Sequence, residues 1–261
     1  MFELNRIYNE DCLLTMEKMG RGVDVVLTSP PYNMSKRRGG VSDTGRYDVY
    51  VDWKSEDEYI AFTVNVFNSF NKVVVDNGVV LYNFSYSIEN PSLPYKLVTK
   101  LEEETEWMLA DTIIWKKHNG MPFPANERRL SRIWEFIFVF VRKNEINTYK
   151  VNKGVSKVSK KGQKYYNVFY NLIESQNNDA KTRTLNQATF STELCCKLLR
   201  IYGFDGCVVY DPFMGTGTTG NACIIMNMKY IGSEISEAQC KYAEERIRKT
   251  LSIFVNNEQD N

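Results

Sequence analysis

The 261-residue chain is predicted to be an α/β protein with a doubly wound, mostly parallel sheet, helices on both faces and a small inserted region. Three observations predict this. Strand and helix patterns alternate at both ends of the chain. A short β-branched run is stopped abruptly by two prolines. A glycine-rich turn follows a second such run and opens a helix.

Val23 to Thr28 (VDVVLT) reads as a buried strand ended by Pro30-Pro31. From Ser55 to Asp76, Ile60, Val64, Phe67 and Val74 recur at helical spacing, and Asn77-Gly78 is expected to end that helix. Val79 to Phe84 follows as a strand, and Thr112 to Trp115 and Ile133 to Val141 are two more β-rich runs. Near the other end, Cys207 to Tyr210 is a strand leading into Asp211-Pro212. A helix from near Thr218, a strand at Tyr230 to Glu234 and a helix from Ser236 to Lys249 complete the alternation. Between these parts, Arg142 to Lys164 holds eight basic residues against one acid, Glu145, and lacks a long apolar period, so it reads as an insertion. No internal repeat or low-complexity tract is present.

Apolar residues make up 43% of the chain, enough for a sizeable core. Net charge is only +1, so attraction to a polyanion must come from local clusters such as Arg142 to Lys164. Cys12, Cys195, Cys196, Cys207, Cys223 and Cys240 lack the spacing of a zinc site. With no secretory pattern at Met1 to Gly20, they are expected to be reduced thiols of a cytoplasmic protein, and no metal is expected. No apolar run approaches the ~18 residues of a membrane span. His118 is the only histidine, which excludes a Ser-His-Asp hydrolase. Trp53, Trp107 and Trp115 are expected in the core or at its rim, and Asp111 is given no role.

Two motifs carry chemistry. Ser29-Pro30-Pro31-Tyr32 follows a predicted strand, at the edge where open α/β sheets bind ligands. The prolines fix the backbone and remove two N–H groups, leaving carbonyl oxygens to face a ligand. A carbonyl and a side-chain oxygen can together accept from one –NH2 group, and Tyr32 offers a flat ring for stacking. The second motif, Asp211 to Gly220 (DPFMGTGTTG), also joins a strand to a helix. Its glycines permit close approach of a ligand, and the helix N-terminus favours an anionic group. Glu234, ending the next strand, is placed to accept from both hydroxyls of a ribose. No Gly-Lys-Ser/Thr follows, which disfavours a phosphate loop.

Together these motifs resemble the S-adenosylmethionine-dependent amino-methyltransferases of DNA, which modify cytosine N4 or adenine N6. The tetrad comes first and the glycine turn last, as in the circularly permuted β class. The resemblance covers roughly residues 5–142 and 186–250. It implies a Rossmann-like methyltransferase sheet formed by residues 1–141 and 186–261, with 142–185 as a target-recognition insertion. It also implies S-adenosylmethionine as cofactor. Its binding set would be Asp11 and Cys12 (in Tyr8 to Leu13), then Thr189, Phe190 and Ser191, then Asp211, Phe213, Gly215, Thr216, Gly217, Thr218 and Thr219, with Glu234. Ser29, Pro30, Pro31 and Tyr32 would hold the target amino group. Arg132 to Phe136 resembles a late sheet element of the family, with Trp134 where histidine is common.

The implied substrate is double-stranded DNA with the target base flipped out of the helix. Asn33 to Gly45, with Lys36, Arg37 and Arg38, reads as a loop that closes over phosphates. Lys157, Lys160 and Lys161, with Tyr149, Tyr165, Tyr166 and Tyr170 nearby, offer a second phosphate footprint. Serine before Pro-Pro-Tyr is typical of the family's cytosine-N4 enzymes, so cytosine N4 is favoured over adenine N6. RNA or protein-amide methylation and a non-catalytic DNA-binding subunit are the other readings. A cognate restriction endonuclease and a homodimer stay open as partners.

Overall fold

A computed structural model describes residues 2–33, 54–85, 90–118, 120, 130–177, 179 and 190–259. The expected loop with Lys36, Arg37 and Arg38 lies outside them, as do Trp53 and Thr189.

The strands are β1 (Arg6–Tyr8), β2 (Val23–Thr28), β3 (Val74–Phe84), β4 (Trp107–Lys117), β5 (Trp134–Arg142), β6 (Val155–Val158), β7 (Lys164–Tyr166), β8 (Leu172–Ser175), β9 (Val208–Asp211) and β10 (Lys229–Ser233). The helices are α1 (Cys12–Lys18), α2 (Glu56–Val73), α3 (Leu93–Glu104), α4 (Thr192–Tyr202), α5 (Thr218–Ile225) and α6 (Glu237–Gln259). Eight strands form one sheet in the order β1-β10-β9-β2-β3-β5-β4-β8. β5 is antiparallel to both its neighbours, and the remaining pairings are parallel.

Strand periodicity separates two cores. Val79 and Leu81 of β3, with Ile137, Val139 and Val141 of β5, pack with residues of α4, α5 and α6. Val80, Tyr82 and Phe84, with Phe136, Phe138 and Phe140, pack with α1, α2 and α3. Among the described residues, three helices thus cover each face. α2 begins at a capping box in which Glu58 N donates to Ser55 Oγ and Ser55 N donates to Glu58 Oε2. It ends at Val73, earlier than its apolar spacing predicts. The β-branched Val74 pairs with Val23 instead, and Asn77 (φ 60°) with Gly78 forms an irregularity inside β3 rather than a helix stop. A Cβ at Gly78 would lie 2.9 Å from the Asp24 carbonyl oxygen, so only glycine fits there.

Residues 142–185, expected as an insertion, contribute both to the main sheet and beyond it. β6 and β7 form an exposed antiparallel hairpin, whereas β8 is the edge strand beside β4. Arg142 is a correction to the basic run. Its guanidinium is buried, donates to the carbonyls of Val74 and Val75, and pairs with buried Glu145. Lys143 is likewise tied to the Thr105 carbonyl. Trp107 and Trp115 are core residues. All six cysteines are free; five are buried and Cys196 is half-buried. Among the described residues, no helix is long and apolar enough to cross a membrane.

Candidate active site

β2 leads through α2 to β3 on one side, and β9 leads through α5 to β10 on the other. The connections therefore part between the adjacent strands β2 and β9, where open α/β sheets form their ligand crevice. The strand-end residues there are Thr28 and Asp211. Thr28 Oγ1 donates to Asp211 Oδ1 at 2.7 Å, Phe213 N donates to the same oxygen at 3.0 Å, and Thr219 Oγ1 donates to Oδ2 at 2.6 Å. Burial pushes the Asp211 carboxyl up to about 6, although those three donors oppose the rise. Its oxygens thus brace the turn and the strand end from within the protein.

Beyond Asp211 the chain makes the glycine turn. Gly215 and Gly217 have φ of 52° and 79°, and Gly217 caps α5. A Cβ at Gly217 would sit 2.9 Å from Ala243 Cβ and 3.1 Å from Ala243 Cα, against α6. Glu234 lies just past β10. Gly215 N donates to its Oε2 and Ser236 N to its Oε1, both at 2.8 Å, so the carboxylate is fixed in orientation. Thr216 Oγ1 is buried and has no hydrogen-bond partner among the described residues, an orphan that a ligand group can satisfy. A preset carboxylate beside the glycine turn, an unpartnered hydroxyl in that turn and the helix N-terminus that follows fit a nucleoside-bearing cofactor with an anionic end.

Of the other expected cofactor residues, those described lie just after β1, at the start of α4 and in the turn itself. Asp11 caps α1, accepting from Leu13 N at 2.8 Å, close after β1, whose Tyr8 pairs with Ser233. Cys12 is buried in the core. Phe190 is buried, and Ser191 Oγ caps α4 by accepting from Leu194 N at 3.2 Å. Phe213 is half-buried, with its ring centroid 6.1 Å from that of Phe62. The pattern did not disclose Arg246 of α6. Its guanidinium donates to Thr216 O at 3.0 Å and to Thr218 Oγ1 and Thr192 Oγ1 at 3.1 Å, and pairs with Asp179. It thereby joins the glycine turn to the start of α4.

The tetrad follows β2 on the same edge. Tyr59 of α2 donates to the Pro31 carbonyl at 2.7 Å, while among the described residues no donor reaches the Pro30 carbonyl. Ser29 is half-buried. Tyr32 is 8% exposed, its ring edge-on to Phe84 at 5.5 Å, so the side chain is more enclosed than the sequence implies. Its hydroxyl lies 2.8 Å from Ser29 Oγ, 2.6 Å from Asn83 Oδ1 and 3.1 Å from Glu135 Oε2. Lys117 pairs with Oε1 of Glu135. Asn83, Glu135 and Lys117 went unread in the sequence because strand-end polar residues have no local signature.

Lys160 and Lys161 occupy the turn of the β6–β7 hairpin, and Lys157 lies on β6; all three are exposed. Val155, Val158, Tyr165 and Tyr166 are exposed beside them, as are Val168 and Tyr170 farther on. The hairpin's base is tied to the carboxyl end of α4 by Asn152 N donating to Ile201 O at 2.6 Å.

The profile of the N6/N4 methyltransferase family, described as DNA methylase, matches residues 23–245. Similar sequences include the type II methyltransferase M.MwoI of Methanothermobacter wolfeii, 29% identical over 80% of this chain and 28% of that protein. M.BamHI of Bacillus amyloliquefaciens is 24% identical over 94% of this chain and 57% of its own length. The chain thus spans less than two thirds of those two relatives. The orphan methyltransferase M.BamHII of the same organism is 28% identical, with 88% of this chain and 91% of that protein covered. In fold, the chain is similar to the cytosine-N4-specific PvuII DNA methyltransferase (TM-score 0.67, 18% identity, 96% and 92% covered). It is also similar to M1.HpyAVI in complex with SAM (TM-score 0.63, 24% identity, 93% and 98% covered).

Proposed function

Because this chain belongs to the DNA methylase family of N6/N4 methyltransferases, we propose that it transfers the methyl group of S-adenosylmethionine to the exocyclic amino group of a base in double-stranded DNA, with cytosine N4 as the target. The observation that carries this reading is the Thr28–Asp211 link, which sets the tetrad and the glycine turn side by side at the parting of the sheet. S-adenosylmethionine supplies, when bound, an electrophilic methyl group on a sulfonium. Glu234 is oriented to accept from the ribose hydroxyls. The start of α5 and the Thr216 hydroxyl favour the carboxylate end. As the resemblance implies, Asp11 and Cys12 meet the adenine, and Thr189, Phe190 and Ser191 the methionine end.

The tetrad does its work by alignment rather than by strong base catalysis. An aromatic amine is a poor nucleophile because its lone pair is delocalised into the ring. Accepting its two hydrogens at Ser29 Oγ and the Pro30 carbonyl draws the nitrogen toward a tetrahedral shape. The lone pair then faces the methyl donor, a gain realised in the transition state. The released proton goes to water. Tyr32 lines the pocket for a flipped base and stacks on it once the base enters. Residues 1–141 and 186–261, with edge strand β8, form the catalytic domain, and target recognition falls to the exposed β6–β7 part of 142–185 together with Lys36, Arg37 and Arg38.

Serine at position 29 supports cytosine N4, as the resemblance implies. Mass spectrometry of nucleosides from DNA incubated with the purified protein and cofactor tests the reading. N4-methylcytosine is expected. N6-methyladenine would move the target to adenine, and DNA without new methyl groups would overturn the proposal.

A further inference from the structure

The hydroxyls and amides behind Ser29 form a chain whose direction is set by its far end. Asn83 Nδ2 donates to the Phe136 carbonyl at 3.0 Å and to Glu135 Oε2 at 3.2 Å, so its Oδ1 must face Tyr32. The Tyr32 hydroxyl has one hydrogen, and both groups behind it, Asn83 Oδ1 at 2.6 Å and Glu135 Oε2 at 3.1 Å, are acceptors. That hydrogen therefore points away from Ser29. The Tyr32 oxygen is left to accept the Ser29 hydrogen across 2.8 Å. Ser29 Oγ then presents only lone pairs outward, as an amino group that donates hydrogens requires. Were the chain reversed, Ser29 would aim its own hydrogen at the target nitrogen.

Glu135 holds this polarity. Lys117 pairs with Oε1, which leaves Oε2 to the chain. The Glu135 side chain is only 12% exposed and that of Lys117 17%, so water competes little with these bonds. Lys117 Nζ also lies 4.7 Å from the centre of the Trp115 ring, which fixes it from a second side. Glu135 can do this because β5 runs antiparallel: its first residues lie beside the last residues of β3, as the pairing of Phe136 with Phe84 shows.

We propose that Glu135 is a positioning residue of the target pocket: acting through Asn83 and Tyr32, it turns the Ser29 hydroxyl so that its lone pairs receive the amino group to be methylated. The inference rests on the reading of Ser29 as the acceptor of that group.

The test is a double-mutant cycle, read as single-turnover transfer of labelled methyl groups to unmethylated genomic DNA of mixed base composition, with cofactor and DNA saturating. Glu135→Gln puts an amide donor where only acceptors stood and should slow transfer at least tenfold, with cofactor affinity unchanged within twofold. Tyr32→Phe cuts the chain, so adding Glu135→Gln to it should slow transfer by less than a further twofold. Asn83→Leu, paired with Tyr32→Phe in the same way, provides a second cycle should Glu135→Gln not fold. Penalties that multiply, or wild-type transfer in Glu135→Gln, would overturn this inference alone. Wild-type protein that labels no DNA would overturn the functional reading and this inference with it.

Discussion

Thr28 Oγ1 and Asp211 Oδ1 are joined by a 2.7 Å hydrogen bond between residues 183 positions apart in the chain. Asp211 also holds Thr219 at the start of α5 and the backbone of Phe213 in the glycine turn. One carboxylate therefore sets the spacing between the strand that carries the tetrad and the turn assigned to the cofactor. Methyl transfer needs the reacting atoms held in near-attack geometry, and misplacement by about 1 Å costs on the order of 100-fold in rate.

The cost of burying that carboxylate gives the first prediction. Burial raises Asp211 from its ordinary range to about 6. A raised carboxyl stabilises the fold fully below its unfolded value near 4, and that contribution is lost as pH rises through about 6. Asp211→Asn removes this titration. Relative to wild type, the variant should gain on the order of 2–3 kcal/mol in unfolding free energy between about pH 4 and pH 7. Urea unfolding of both proteins across that range checks it. A stability difference that does not vary with pH would show that Asp211 ionises in the fold as it does in water.

Glu234 accepts from Gly215 N and Ser236 N, so its truncation acts at two levels. Glu234→Ala should weaken S-adenosylmethionine binding by about 1.5–3 kcal/mol, the loss of hydrogen bonds to a charged acceptor. It should also lower fold stability by about 1–3 kcal/mol, because two part-buried N–H groups lose their acceptor. Titration calorimetry on protein shown to be folded by circular dichroism separates the two. Undiminished affinity would remove Glu234 from the cofactor site.

Gly217 combines a left-handed backbone with close contact to α6. A methyl group there meets both Cβ and Cα of Ala243, and the latter moves only with the helix backbone. Gly217→Ala should cost about 2–4 kcal/mol, the sum of the left-handed penalty and overpacking. Chemical unfolding should show a lower midpoint with an unchanged slope. A midpoint equal to wild type would mean that the turn relaxes freely.

What the sequence disclosed about this site was local in nature. The β2 run ends in two prolines, the glycine turn follows β9 directly, and Glu234 sits one residue past β10; each is a pattern within about ten residues. Asn83 and Glu135 reach Tyr32 from 51 and 103 positions away, and no spacing rule connects them before the antiparallel placement of β5 is known. Arg142 shows the converse error. Its charge placed it in a basic run, yet the carbonyls of Val74 and Val75 bind it at the start of β3. The end of α2 was misplaced because apolar spacing runs on through Val74, whereas pairing with Val23 decides the conformation.

The exposed hairpin yields the last prediction. Lys157, Lys160 and Lys161 project from β6 and its turn, with exposed Tyr165 and Tyr166 on the facing strand. Net charge is only +1, so such a cluster must supply much of any attraction to DNA. If each lysine neutralises one phosphate, each releases about one counterion on binding, and affinity falls with salt accordingly. Changing all three to alanine should lower DNA affinity at low salt and reduce the slope of log affinity against log salt by up to ~3 units. Cofactor affinity should stay at the wild-type value, because the hairpin holds none of the glycine-turn or Glu234 contacts. Fluorescence anisotropy with labelled duplex DNA at several salt concentrations makes the measurement. A triple variant with the wild-type slope would show these lysines to be a solvated face and would shift recognition to 36–46 or 119–132.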